Sequence, residues 1–412
     1  MGLYQDYLEH YTGSTPNALV AYLGNNDGTY IISNQKVFGT DLVDLGGASR
    51  KVIVADFNGD GYLDLGYAIN HEDGRATINN GTNFSEQATV VLSTGNGKYR
   101  IDKIGTPDWL HSVDAVDNEI GGKDFLFQGL IPNIGLQAFR NIGGKWLNVS
   151  NKYPTNLSGN TFRFFPKKTS NQTSTKVIHQ GTNMNLPWSQ TRVSSMIQNG
   201  NSWQNSQAYD LGGVLVPYIG WNGVSTTATM TKLDGVNYVG AYFDDSCIIK
   251  TSPQADPIFV AKFSASYVPK SWDGISPIVQ NNDLINYQKL ILYNSDPSVL
   301  APIANPFINE ENAFTGFYFD CKDINNDGYQ DFVMHTFRKS GLPIIYINQQ
   351  NNLFRKFDTT NFPVPDQTAY ENSSVIDDMD GDGIVDLILF NRENTIKGKI
   401  NFVLYKGIKN LR

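Results

Sequence analysis

Three short segments of this chain repeat one spacing of oxygen-bearing residues, and that spacing narrows the possible folds more than any other feature of the 412 residues. Asp56, Asn58, Asp60, Gly61 and Asp64 fill the pattern D-x-[DN]-x-D-G-x-x-D; so do Asp323, Asn325, Asp327, Gly328 and Asp331, and again Asp378, Asp380, Asp382, Gly383 and Asp386. Side chains at positions 1, 3 and 5 converge on one point. Glycine at position 6 permits the sharp turn, the carbonyl of position 7 (Tyr62, Tyr329, Ile384) adds an oxygen, and the last Asp closes the cage. Hard oxygen ligands in that number suit Ca²⁺, which accepts six to eight of them, better than Mg²⁺ or a transition metal. Without metal the same residues would make three ordinary Asp/Asn/Gly turns. Three copies at one spacing favour about three calcium sites.

An EF-hand would carry Glu at position 12 and helices on both sides. Here position 12 is Tyr67, Met334 or Leu389, and the flanks are short, apolar and β-prone, as in Val52 to Ala55 and Leu65 to Ala68. The loops therefore join strands. A strand, an Asn- or Gly-rich turn and a second strand recur at Leu342 to Phe354, at Leu136 to Trp146 and at Leu19 to Tyr30.

The second and third loops start 55 residues apart and the first and second 267 apart, close to five further intervals of the same length. About seven units result. Degenerate copies are expected between them, at 113–124, 231–238 and 279–283, with a weaker candidate at 177–181. A repeat of this length with about four short strands is the mark of a β-propeller, in which each blade covers its neighbour's apolar face. The expected fold is all-β: one domain over 1–412, about seven four-stranded blades, closed by pairing the strands at Ala18 to Ile32 and Lys399 to Tyr405 in one blade, which removes free edges.

The loop pattern, its apolar flanks and the Gly24-Asn-Asn-Asp-Gly-Thr-Tyr30 stretch resemble the FG-GAP or VCBS repeat of integrin-α-type propellers. That resemblance implies calcium in loops between adjacent strands of a blade, held by Asp56, Asn58, Asp60, Asp64 and their counterparts. It covers adhesion receptors, lectins, phage and bacterial surface proteins and some polysaccharide lyases, and a fold does not select among them.

Composition trims the choices. Net charge is -8 with no basic run, which disfavours nucleic acid as a partner. No 18-residue apolar stretch supports membrane insertion, and the N-terminus lacks the apolar core of a signal peptide. Either the chain is trimmed, with Met1 and Gly2 as remnants, or it leaves its cell by another route. Cys247 and Cys321 are expected as two buried thiols, with one disulfide as the alternative. Calcium modules of the extracellular kind bind at about 10⁻⁴ to 10⁻³ M, so the loops would stand empty in a cytosol. The expected setting is extracellular, on a cell surface, or on a virion.

The leading function is recognition of a cell-surface glycan or protein, in the manner of a lectin or adhesin. Trp109, Trp188, Trp221 and Trp272 lie in turn-rich stretches beside Asp108, Asn185, Asn222 and Asp273 and are the candidate ligand contacts, although large aromatics also pack between blades. A phage or virion component within a larger assembly is the second reading. A polysaccharide lyase or hydrolase is the third. Its base would come from His111 or His179, since no pair forms among His10, His71, His111, His179 and His335. No catalytic residue is assigned. Asp244 and Asp245 read as a solvated turn.

Overall fold

The structure is a computed structural model that describes residues 19–25, 29–71, 84–130, 134–154, 157, 161–164, 176–181, 192–200, 202–210, 214–219, 225–233, 236–239, 242–249, 258–265, 287–293, 315–336, 342–350, 353–362, 372–379, 382–391 and 401–405. Its contacts divide into two compact units, residues 1–184 with 194–206, and residues 185–193 with 207–412.

Strands dominate, as the Thr-, Val- and aromatic-rich segments between Gly/Asn turns require. A hairpin of β1 (Tyr22–Gly24) and β2 (Tyr30–Ile32) is followed by one turn of helix, α1 (Asn34–Phe38). The next sheet is β3 (Ala48–Ala55), β4 (Asp64–Asn70), β5 (Glu86–Ser93) and β6 (Tyr99–Asp108). A second follows with β7 (Leu110–Asp117), β8 (Lys123–Gly129), β9 (Gln137–Ile142) and β10 (Lys145–Asn148). The third holds β11 (Thr161–Phe164), β12 (Lys176–Gly181), β13 (Arg192–Asn199) and β14 (Ser202–Asp210).

Further along come β15 (Val214–Ile219), β16 (Ser225–Leu233) and β17 (Val236–Val239), then β18 (Tyr242–Ile249), β19 (Ile258–Ala265) and β20 (Tyr287–Tyr293). A four-stranded sheet is made of β21 (Thr315–Lys322), β22 (Asp331–Thr336), β23 (Ile344–Asn348) and β24 (Phe354–Lys356). The last holds β25 (Asn372–Asp377), β26 (Asp386–Asn391) and β27 (Asn401–Tyr405). In every sheet the strands are hydrogen-bonded neighbours in chain order, and the pairings of the first, second and later sheets, like β11 with β12, are antiparallel, as hairpin connections require. Among the described residues, β1 pairs with β2 and β27 with β26; a closing blade shared by the two ends is not among these pairings.

In the first unit the leading strands of successive sheets meet, β3 against β7 and β7 against β11. In the second sheet β8 has strand partners on both edges, and side chains of either parity are buried: Phe125, Leu126 and Phe127 have no exposure. Phe57 and Phe125 meet edge to face at 5.2 Å between ring centres, joining the first sheet to the second. Gly66 of β4 sits under the same ring, and a Cβ there would fall 2.4 Å from Phe125 Cε2. Polar side chains peg the next junction, where Asp114 Oδ2 accepts from Phe164 N at 2.8 Å and Ser112 Oγ accepts from Phe162 N at 3.3 Å.

Three expectations are corrected. Cys247 of β18 and Cys321 of β21 are not two thiols but a disulfide, their Cα atoms 6.4 Å apart; both are partly buried against the cluster of Ile249, Phe332, Met334, Tyr346 and Phe354. Asp244 and Asp245 are not a turn: they lie in β18 at a register shift between Phe243 and Asp245, which takes up the extra residue as a bulge. Residues 177–181 form part of β12 and not a loop. The proposed copy at 279–283 lies outside the described residues.

Candidate functional site

Each acidic loop links the first and second strands of a sheet, between β3 and β4, β21 and β22, and β25 and β26. Local chemistry dictates the turn. Asp56 Oδ2 accepts from Gly61 N at 2.8 Å, Asp323 Oδ2 from Gly328 N at 2.7 Å and Asp378 Oδ2 from Gly383 N at 2.8 Å. Those bonds need the glycines at φ 85°, 90° and 79°, the left-handed region that side chains disfavour. The fifth position repeats too, with Asp60, Asp327 and Asp382 each accepting from the backbone N–H two residues on.

The ninth position is the anchor. Asp64 Oδ2 accepts from Phe57 N at 2.8 Å, Asp331 Oδ2 from Ile324 N at 3.0 Å and Asp386 Oδ2 from Met379 N at 2.9 Å. Asp64 and Asp331 reach a third strand through their other oxygen, accepting at 2.7 Å from Ser93 N and from Asn348 N. Both carboxyls are fully buried. Burial, and then the charges of Asp60 and Asp56, raise Asp64 to about 6 against two backbone donors that lower it; Asp331 is raised to about 6 for the same reasons, with Asp327 and Asp323 as the neighbouring charges.

The first and third positions lie at the rim with position five. Asn58 and Asn325 donate to Asp60 and Asp327 through Nδ2 at 2.9 and 3.0 Å. Asp380 lies outside the described residues. Among the described residues no three His, Cys, Asp or Glu side chains are gathered into a ready-made metal cluster. What each loop does present is an oxygen-only set of carboxylate and main-chain groups on one tight turn, with an Asn amide added in the first two, the donor chemistry that a hard dication takes. Tyr62, Tyr329 and Ile384 stand at the seventh position of their loops with their N–H groups engaged, which leaves the carbonyls as the groups available to a cation.

The segment 116–124 shows what replaces the pattern. Asp124 keeps the ninth position and is fully buried, but Val116 and Ile120 stand where the other loops have Asp. Arg140 fills the gap, with Nε on Asp124 Oδ1 at 2.7 Å and Nη2 on Asp124 Oδ2 at 2.8 Å. Its other edge binds Glu119 at 2.7 and 2.9 Å. Arg140, and then Lys152, hold the Glu119 carboxyl well below the usual carboxylate range.

Of the tryptophans singled out, Trp109 alone lies among the described residues; Trp188, Trp221 and Trp272 do not. Trp109 is half-buried, stacked on Phe84 at 4.7 Å and edge-on to His111 at 5.6 Å. His111 is buried. His179 in β12 has Nδ1 buried with no hydrogen bond among the described residues, and burial lowers its pKa to about 4.

Sequence reasoning passed over Trp146. Its Nε1 donates to Asp102 Oδ2 at 2.8 Å, and Arg100 donates to the same oxygen through Nε at 3.1 Å and Nη2 at 3.0 Å. Arg100 Nη2 also reaches Gly144 O at 2.6 Å. The signal was available as Arg100-x-Asp102, an alternation that puts both side chains on one face of β6, together with the Gly143-Gly144 turn whose φ of 57° and 83° returns β10 toward it.

Fold and loops together define a class: an all-β protein of successive antiparallel sheets with repeated acidic turns between their first two strands. Residues 323–397, which hold the second and third loops, match the family described as FG-GAP-like repeat. No curated protein sequence matches the chain. Among solved structures, AofleA from Arthrobotrys oligospora, as a mutant, aligns over 88% of this chain and 88% of its own at 10% identity and a TM-score of 0.41. A mutant of the Aleuria aurantia lectin in complex with alpha-methyl-L-fucoside aligns over 87% of this chain and 95% of its own, at 9% identity and a TM-score of 0.37. At such scores neither likeness decides the fold or a ligand.

Proposed function

We propose that the chain is a calcium-stabilised β-propeller over 1–412 that works outside a cell as a recognition module for a glycan or another cell-surface ligand. The observation that carries the reading is the identity of the three loops down to single hydrogen bonds. The first, fifth and ninth positions use the same oxygens on the same backbone donors in each, which is the behaviour of one repeated site and not of three chance turns. Calcium would be held by Asp56, Asn58, Asp60, Tyr62 O and Asp64, by Asp323, Asn325, Asp327, Tyr329 O and Asp331, and by Asp378, Asp380, Asp382, Ile384 O and Asp386. Bound there, it would offset the burial, and then the charge repulsion, that raise Asp64 and Asp331.

The Cys247–Cys321 disulfide supports an oxidising compartment, in keeping with loops that need extracellular calcium. Recognition, as opposed to lyase chemistry, is favoured by the placement of His111, buried beside Trp109 instead of open to a substrate. The test is a glycan array probed with the full chain in millimolar calcium and again in excess chelator. Binding to a defined sugar in calcium supports the reading. Silence in both conditions overturns glycan recognition and leaves a protein ligand or a structural part of a larger particle.

A further inference from the structure

We infer that Arg100, Asp102 and Trp146 form a binding site for a neutral sugar that presents two adjacent hydroxyls beside an apolar C–H face. This rests on the recognition reading and gives it a place and a ligand class. Three features of the junction between β6 and the β9–β10 hairpin lead to it.

The groups are fixed before any ligand arrives. Asp102 Oδ2 accepts from Arg100 Nε, Arg100 Nη2 and Trp146 Nε1 at 3.1, 3.0 and 2.8 Å, and Gly144 O holds the guanidinium from the far side at 2.6 Å. Little side-chain entropy remains to be lost on binding. Phe57 and Trp146 meet edge to face with their ring centres 6.2 Å apart, a packing contact on the indole.

The same groups keep unused capacity at the surface. Among the described residues, Asp102 Oδ1 and Arg100 Nη1 take no hydrogen bond, while the two side chains are 21% and 40% exposed. A carboxylate oxygen accepts from a hydroxyl and a guanidinium N–H donates to the oxygen of the next, so the pair matches a vicinal diol. The indole beside it is packed in part against the Phe57 cluster and is half-buried, so that its remaining surface supplies the polarised aromatic contact that sugar C–H groups take. Because Arg100 and Asp102 cancel each other's charge, the site favours a neutral sugar over a uronate.

The experiment is saturation-transfer NMR on the full chain in millimolar calcium with methyl mannoside, methyl galactoside, methyl glucoside and methyl glucuronide, alongside a thermal melt of each variant. Asp102→Asn keeps an acceptor for Trp146 but leaves the Arg100 charge uncompensated. The expected result is about tenfold weaker binding of the neutral glycoside and a gain for the glucuronide, a change of preference that a merely structural role does not produce. Arg100→Lys and Trp146→Phe, which preserve charge and ring packing, are each expected to weaken the neutral sugar at least fivefold with Tm within a few degrees, and they decide the matter if Asp102→Asn does not fold. Wild-type binding that all folded variants retain, with unchanged preference, overturns the site while leaving the recognition reading intact. No binding by the wild type to these probes or to the glycan array overturns the site together with glycan recognition.

Discussion

Arg140 and Asp124 face each other across β9 and β8 as a bidentate pair in which the guanidinium stands beside the ninth-position carboxylate, where Asp64 and Asp331 of two other loops take two backbone donors each. Tyr153 Oη adds a donor to Asp124 Oδ2 at 2.8 Å and Asn118 Nδ2 one to Oδ1 at 3.1 Å. A cation supplied by the chain replaces one that the other loops would draw from solution. The positive charge is 6% exposed and the carboxylate not at all, so removing one partner strands the other. Arg140→Leu is expected to cost about 3–5 kcal/mol in denaturant unfolding, by the same amount in calcium and in chelator.

The acidic loops predict the opposite dependence. Asp60 and Asp382 are exposed, and each accepts from the backbone N–H two residues on in its own loop. In excess chelator Asp60→Ala and Asp382→Ala should each shift unfolding by no more than a few tenths of a kcal/mol. In 10 mM calcium each should lose the increment of one site, about 1–3 kcal/mol for the affinities such modules show. Equal melts for wild type with and without calcium would remove the metal from the account.

How far the sequence reaches is visible in these two cases. The turns at 56–64, 323–331 and 378–386 were legible because their chemistry is local: the bonds by which the first and fifth positions shape each turn close within five residues. The fate of Asp124 was not, because its partner lies sixteen residues away on another strand and nothing in 116–124 announces an arginine. The same holds for the disulfide, whose halves are 74 residues apart, and for Trp146, whose neighbours Arg100 and Asp102 sit 44 or more residues earlier. Strand hairpins at 19–30, 136–146 and 342–354 were readable from turn residues alone.

Gly66 illustrates a constraint that no turn rule reveals. It lies within β4, where the matching positions of β22 and β26 are Val333 and Ile388, and it is glycine because the Phe125 ring of the next sheet occupies the space of its side chain. Gly66→Ala is expected to destabilise by about 1–3 kcal/mol through displacement of that ring. Recovery in the double variant with Phe125→Leu, measured as a coupling energy in a mutant cycle, would tie the loss to this one contact.

Acid should act through His179. Its folded pKa of about 4 lies below the ordinary 6.5, so between those values the unfolded chain takes up a proton that the folded one refuses. Stability from this group is therefore complete above pH 6.5 and falls as the pH drops toward 4, by at most about 3 kcal/mol. His179→Gln should flatten that part of the stability–pH curve; an unchanged slope would place the ring in contact with solvent and reopen it as a candidate base.

The disulfide closes a loop of 74 residues between β18 and β21, two strands whose sheets pack together. In the chain-entropy view such a cross-link removes freedom mainly from the unfolded state, by about 4 kcal/mol at this length. Cys247→Ser with Cys321→Ser should lower the unfolding free energy by an amount of that order, and reductant should do the same to the wild type while leaving the double variant unmoved. A thiol titration of the unreduced, denatured wild type should find no free sulfhydryl. Two free thiols there would return Cys247 and Cys321 to small apolar side chains in the Phe332 cluster and withdraw the support they lend to an oxidising setting.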